Sequence, residues 1–181
     1  TLPDGKHEHN RKNIADIFAD FYEHLYTKAT EPTQADTKNK IHHDNTTIPP
    51  FTTDELDTAI KQLKNRRAPD KSGLIAEMLK EGGQTLRTTL LDLYNEIVKT
   101  DADTPYNWKQ TQITVIHKSG DTSQPQNYRP ISTIPLLYKL FARLLYNRLE
   151  PILDKQQSTD QAGFRRKFST EDHLFTITMI Q

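Results

Sequence analysis

The sequence predicts a mostly helical α+β fold, on three observations. Apolar residues recur three and four positions apart in several separate stretches, as they do on one face of an α-helix. One β-branched run, Ile113-Thr114-Val115-Ile116, breaks that rhythm. A polar loop after it leads back through Asn127-Tyr128-Arg129-Pro130-Ile131, so the two arms read as paired strands. With 34% apolar and 27% charged residues among 181, the chain is polar for a globular domain but not compositionally disordered. The absence of cysteine excludes disulfides and thiolate metal sites. No apolar run approaches the roughly 20 residues of a membrane span, and no signal-peptide core is found. No membrane partner is therefore expected, and an intracellular location, nuclear or cytoplasmic, is. The chain opens at Thr1 without Met and stops at Gln181 within an apolar pattern, and so reads as a piece of a longer protein.

Taken in order, residues 1–50 read as one helix and a loose linker. Asn13 is the expected cap of a helix over 13–28, with Ile14, Ile17, Phe18, Phe21 and Leu25 on one face. Residues 29–50 lack periodicity. His7, His9, His42 and His43 lie in these polar stretches without the further ligands a metal site requires. A second helix starts with strong punctuation. Pro49-Pro50 breaks the chain, Thr52 and Glu55 fit a capping box, and Phe51 against Leu56 fits a hydrophobic staple. Leu56, Ile60 and Leu63 share its inner face. Ile75 to Lys80 form a short helix stopped by Gly82-Gly83, and Leu86, Leu90, Leu93, Tyr94 and Ile97 mark another that reaches about Lys99. After the paired arms, Pro135 is expected at the first position of a long helix capped by Ser132 or Thr133. Leu137, Leu140, Phe141, Leu144, Leu145 and Leu149 run along its apolar face. Lys139, Arg143 and Arg148 are read as its wet side, and Pro151 as its end or a kink. Ser169 with Asp172 caps a last helix through Leu174, Phe175, Ile177 and Ile180.

Charge is unevenly spread within a net of zero. Residues 1–60 hold 6 Lys/Arg and 11 Asp/Glu, and residues 61–181 hold 18 and 13. A mildly basic remainder leans toward a polyanionic partner. Three places suit phosphate. Lys118 at the end of the first arm and Arg129 on the second offer an anion a point charge and a planar fork. Lys64, Arg66, Arg67 and Lys71 form a basic turn that fits a phosphate backbone and a solvated helix C-terminus equally well. In 161–168, Arg165, Arg166 and Lys167 lie between Phe164 and Phe168 beside Gly163. Rings there can stack on bases, glycine admits a backbone closely and the cations neutralise phosphate. Ordinary surface charge stands beside each of these readings. The nucleotide-binding, hydrolase and zinc-protease signatures are absent. The adjacent carboxylates Asp54-Glu55 and Glu171-Asp172 sit in helix first turns, where capping and the dipole account for them. Asp101 and Asp103 sit in a turn without a third ligand. No catalytic residue and no metal site are assigned.

A series of strings nevertheless resembles one family, and in that family's order: F-T-x-x-E-L-x-x-A-I-x-x-L-K-N-x-x-A-P-D over 51–70, A-E-M-L-K over 76–80, W-K-x-x-x-I-x-V-I-x-K-x-G-D over 108–121, N-Y-R-P-I-S over 127–132, L-x-Y-K-L-F-A-R-x-L-x-N-R-L over 137–149, Q-A-G-F-R over 161–165 and S-T-x-D-H over 169–173. With I-A-D-x-F-A-D-F-Y-x-x-L-Y at 14–26, they cover nearly the whole chain. The family is the reverse transcriptase of non-LTR (LINE-type) retrotransposons. The resemblance implies the N-terminal extension and fingers of a right-hand polymerase, with 1–50 as helix and linker and 51–181 as the incomplete N-terminal part of the reverse transcriptase domain.

It further implies that Lys118 and Arg129 contact the phosphates of the incoming dNTP. Gln161, Gly163, Phe164 and Arg165 correspond to the segment lying on the template, which Arg166 and Lys167 extend. RNA template, DNA primer and dNTP are the implied partners, together with the palm and thumb. Mg²⁺ is expected for the complete polymerase and not for this stretch alone, since the catalytic aspartates would follow Gln181. Three departures stand out: Asp70-Lys71-Ser72-Gly73 where the family has G-x-D-G, Phe168 in place of an arginine, and His117 where Lys or Pro is common. They fit a divergent active element and a decaying one alike. A non-catalytic nucleic-acid-binding fragment and a non-functional relic are therefore the alternatives to a polymerase segment.

Overall fold

The computed structural model describes residues 9–28, 48–100, 104–158, 160–163, 165 and 168–180. His7, His42, His43, Asp101, Asp103, Phe164, Arg166 and Lys167 lie outside the described residues. In chain order the elements are α1 (Arg11–Lys28), α2 (Thr53–Lys61), α3 (Ala76–Glu81), α4 (Gln84–Thr100), β1 (Gln112–His117), β2 (Tyr128–Thr133), α5 (Leu136–Gln156) and α6 (Thr170–Ile180). They group into two compact units, Thr1–Ile48 with Gln110–Ile134, and Pro49–Lys109 with Pro135–Gln181. The mostly helical α+β expectation holds, with a single two-stranded antiparallel sheet among the described residues.

The second unit holds the main core. Leu56, Ala59 and Ile60 of α2 and Leu140, Phe141 and Leu144 of α5 are buried together with Phe51, Leu79, Leu90, Tyr94 and Trp108. An aromatic group fills its middle. The Tyr94 and Phe141 ring centroids are 5.5 Å apart, and Trp108 lies 5.9 Å from Phe141 and 5.8 Å from Tyr138, spacings at which ring edges and faces attract. Burial pushes the Tyr94 phenol upward, and its hydroxyl is satisfied by donating to the Leu137 carbonyl at 3.0 Å.

The start of α2 matches its sequence signature. The Thr52 amide donates to Glu55 Oε2 at 2.8 Å, and the Glu55 amide donates to Thr52 Oγ1 at 3.3 Å. Arg148, expected on the wet side of α5, closes on this corner instead. Its Nε donates to Glu55 Oε1 at 2.7 Å and its Nη2 to Glu55 Oε2 at 2.9 Å. The same guanidinium donates to the carbonyls of Pro49 at 2.6 Å and Pro50 at 2.8 Å, and lies 4.2 Å from the Phe51 ring centroid. Asn95 of α4 completes the corner, accepting from the Phe51 amide at 2.6 Å and donating to the Phe51 carbonyl at 3.1 Å.

Other helix ends depart from the expected caps. α1 begins at Arg11, two residues before the expected start, and Asn10 Oδ1 accepts from the Lys12 amide at 2.9 Å. α3 ends without a left-handed glycine. Gly82 is extended, and Arg87 of α4 supplies donors to the carbonyls of Lys80 and Gly82 while bridging to Asp57 at 2.7 Å. A Cβ at 82 would fall 2.2 Å from Leu86 Cδ2, so any larger residue there would have to displace that side chain.

At α5, Pro135 occupies the N-cap, and neither Ser132 nor Thr133 caps the helix. Proline offers no capping oxygen, and the first free amide, that of Leu136, donates to Asp70 Oδ2 at 2.8 Å. The other Asp70 oxygen accepts from the amides of Ser72 at 2.8 Å and Leu74 at 3.0 Å. One carboxylate thus shapes the turn after α2 and anchors α5. Pro151 does not end α5, which runs on to Gln156; the donor it lacks falls in an exposed turn where water can serve the carbonyl. α6 starts at the expected capping box, with the Ser169 amide donating to Asp172 Oδ2 at 2.7 Å.

Arg148→Ala should lower the unfolding free energy by about 2 kcal/mol in urea titrations followed by Trp108 fluorescence, since it removes charge-assisted hydrogen bonds at a half-buried pair. The hydrogen bonds from Arg148 hold the Glu55 carboxyl at about 2, below its ordinary 4.5. That contribution is therefore present above pH 4.5 and is lost as pH falls toward 2, and Arg148→Ala should flatten stability over that window. Asp70→Ala should cost about 1–2 kcal/mol and speed amide exchange in the first turn of α5, because it removes that helix's cap.

Candidate functional site

The strand register decides which side chains of the hairpin act together. Pairing runs from Gln112 opposite Thr133 to His117 opposite Tyr128, with Ile116 opposite Arg129. The Lys118 amide donates to the Asn127 carbonyl at 2.8 Å, which carries the pairing one step further. Paired residues share a face and neighbours along a strand alternate. Thr114, Ile116 and Lys118 therefore lie on one face with Asn127, Arg129 and Ile131. Val115, His117, Tyr128 and Pro130 lie on the other.

The two faces have different surroundings. The Tyr128 face meets α1. The Phe18 ring stands edge-on to Tyr128 with centroids 4.9 Å apart, and the Tyr22 hydroxyl donates to the Tyr128 carbonyl at 3.0 Å. Tyr22 is buried there, which pushes its phenol upward. The opposite face is open: Lys118 and Arg129 are exposed, and Ile116 keeps 54% of its surface. Lys118 and Arg129 are diagonal neighbours across the ladder, roughly 7–8 Å apart at their α-carbons. Two long cationic side chains at that separation can close on one polyphosphate.

The connecting loop is tied to itself. Gly120 has a φ of 85°, in the region that favours glycine, and a Cβ there would lie 2.8 Å from Asn127 Nδ2. Asn127 Nδ2 donates to the Asp121 carbonyl at 2.9 Å, the Tyr128 hydroxyl to the Thr122 carbonyl at 2.8 Å, and the Ser123 amide to Asp121 Oδ1 at 2.8 Å. His117 lies with Nε2 3.2 Å from the Gly120 carbonyl and its ring edge-on to Tyr128.

The other expected site residues fall in the second unit. Gln161 and Gly163 are exposed, and Gln161 Nε2 donates to the Gly163 carbonyl at 3.0 Å. The Arg165 side chain is only 11% exposed. Its Nε donates to Asp154 Oδ1 at 2.9 Å, Nη1 to the Ser158 carbonyl at 2.9 Å and Nη2 to the Asp154 carbonyl at 3.1 Å. Phe168 puts its ring centroid 4.2 Å from the Arg165 guanidinium. In the basic turn, Arg66 has a φ of 56° and its amide donates to Glu77 Oε1 at 2.6 Å, which pulls that carboxyl below its ordinary range. Lys64, Arg66, Arg67 and Lys71 are exposed. Among the described residues no three His, Asp or Glu side chains converge on a point where a metal ion would sit. No helix among them is long and apolar enough to cross a membrane.

No protein-family model matches the chain. Curated relatives do. The chain is 30% identical over 185 residues to the probable RNA-directed DNA polymerase from transposon BS of Drosophila melanogaster, an alignment covering 97% of this chain and 20% of that protein. It is 32% identical over 133 residues to the probable RNA-directed DNA polymerase from transposon X-element of the same organism, covering 72% of this chain and 14% of the relative. It is 29% identical over 129 residues to the RNA-directed DNA polymerase from mobile element jockey, also of Drosophila melanogaster, covering 70% and 14% respectively. The chain thus spans a fifth or less of the length of these relatives.

Gly120→Ala should speed amide exchange across β1 and β2 by about tenfold, the effect of roughly 1.4 kcal/mol of backbone strain. The unfolding midpoint reported by Trp108 should stay in place, because that ring sits in the other unit's core.

Proposed function

Because the chain belongs to the reverse transcriptase family of non-LTR, LINE-type retrotransposons, we propose that it is the N-terminal extension and fingers portion of an RNA-directed DNA polymerase. In this reading the β1–β2 hairpin receives the incoming dNTP, with Lys118 giving the triphosphate a compact charge and Arg129 a planar fork. The observation that carries it is the register, which puts both cations on one exposed face while α1 meets Tyr128 on the opposite one. Binding on that face would cost little rearrangement, because the loop joining the arms is already tied through Asn127 and Asp121.

Template RNA and primer DNA are the proposed nucleic-acid partners. Exposed Gln161 and Gly163 offer the template a polar, closely approachable turn. Arg165 supports that turn by bonding the end of α5, and Arg166 and Lys167 are proposed to add phosphate contacts. Mg²⁺ belongs to the complete polymerase in this reading. The described residues do not fit a site for it, and no step is derived through the ion.

Arg129→Ala in a polymerase carrying this segment should raise KM for dNTP by about tenfold, the worth of one charge-assisted contact, with RNA affinity little changed. An unaltered KM would remove the phosphate role.

A further inference from the structure

An isolated two-stranded hairpin is marginal in water and needs something to pack on. Among the described residues of its unit, α1 is the element that provides this. The contact is specific. α1 presents Phe18 and the buried Tyr22 on adjoining turns, and both reach Tyr128. Phe18 meets the Tyr128 ring, and Tyr22 reaches that residue's main chain. Its hydroxyl donates to the carbonyl of Tyr128, the peptide group whose amide belongs to Arg129. Tyr128 in turn holds the loop through its own hydroxyl to the Thr122 carbonyl and meets His117 on the facing strand at 5.2 Å.

We infer that α1 is the brace of the anion-binding hairpin and that Tyr22 is a positioning residue, fixing the main chain from which Arg129 projects. This rests on the reading of Lys118 and Arg129 as phosphate contacts. Tyr22 touches no phosphate itself. Its effect reaches the ligand through the Tyr128–Arg129 peptide, so the segment ahead of the fingers sets nucleotide affinity without contacting nucleotide.

The test uses the full chain with Mg²⁺-dTTP and inorganic tripolyphosphate as probes, by calorimetry, alongside amide exchange. Tyr22→Phe keeps the ring and removes only the donor. It should weaken both probes about fivefold, as the loss of one hydrogen bond predicts, and speed exchange at the hairpin amides. The Trp108 unfolding midpoint should not move, which separates positioning from general destabilisation. Lys118→Ala with Arg129→Ala should abolish binding. Normal affinity or unchanged hairpin exchange in Tyr22→Phe, beside loss of binding in the double variant, overturns the brace and leaves the phosphate reading standing. No binding by the unaltered chain, or normal binding by the double variant, removes both.

Discussion

The contact on which the helical unit most depends is the guanidinium of Arg148 against the corner where α2 begins. A buried or half-buried charge is costly unless its donors are used. Here they are used on two Glu55 oxygens and the carbonyls of Pro49 and Pro50, while the face of the group covers the Phe51 ring. Pro49 and Pro50 lack amides and leave their carbonyls outside any helical ladder, and Arg148 donates to both. Glu55 serves the Thr52 cap and the Arg148 fork at once. The helix start is therefore part of the tertiary structure and not only a local feature.

α5 is held from both directions by the segments it packs against. Asp70 takes its first free amide, and Arg148 ties its later turns to α2. Between these anchors lie Leu140, Phe141 and Leu144, the residues it contributes to the core. Carboxylates and a guanidinium suit this task because their partners must be met in one geometry, whereas apolar contacts tolerate sliding. The hairpin follows a different rule. It meets α1 through Tyr128 on one face, and its other face leaves Lys118 and Arg129 exposed. The contrast between Arg129 and Arg165 makes the point: the first is exposed, and the second gives its donors to Asp154 and Ser158.

Much of the local structure was legible. Both capping boxes, Thr52 with Glu55 and Ser169 with Asp172, formed as their spacing implies, because each is completed within four residues. The strands were legible from their β-branched run and the return through Tyr128. Two of the missed residues lie on the inner stripes of helices. Arg148 follows Phe141 by seven and Leu144 by four, so it lies on the buried stripe of α5, and Tyr22 follows Phe18 by four on the stripe of α1. Periodicity marked both positions as inward-facing; reading Arg148 by its charge concealed that. Asp70 gave no such signal, because its partner Leu136 is 66 positions away.

By itself the sequence determined the family, through strings whose order survives at about 30% identity, and the elements, through short-range periodicity and capping. It also placed a cation on each arm of the hairpin. The tertiary structure decided which charges are spoken for. Whether a basic side chain meets solvent or a carbonyl depends on chain segments distant in sequence, and no local pattern records that distance. Contact with α1 half-covers Tyr128 on one hairpin face, and the register leaves Lys118 and Arg129 together on the other.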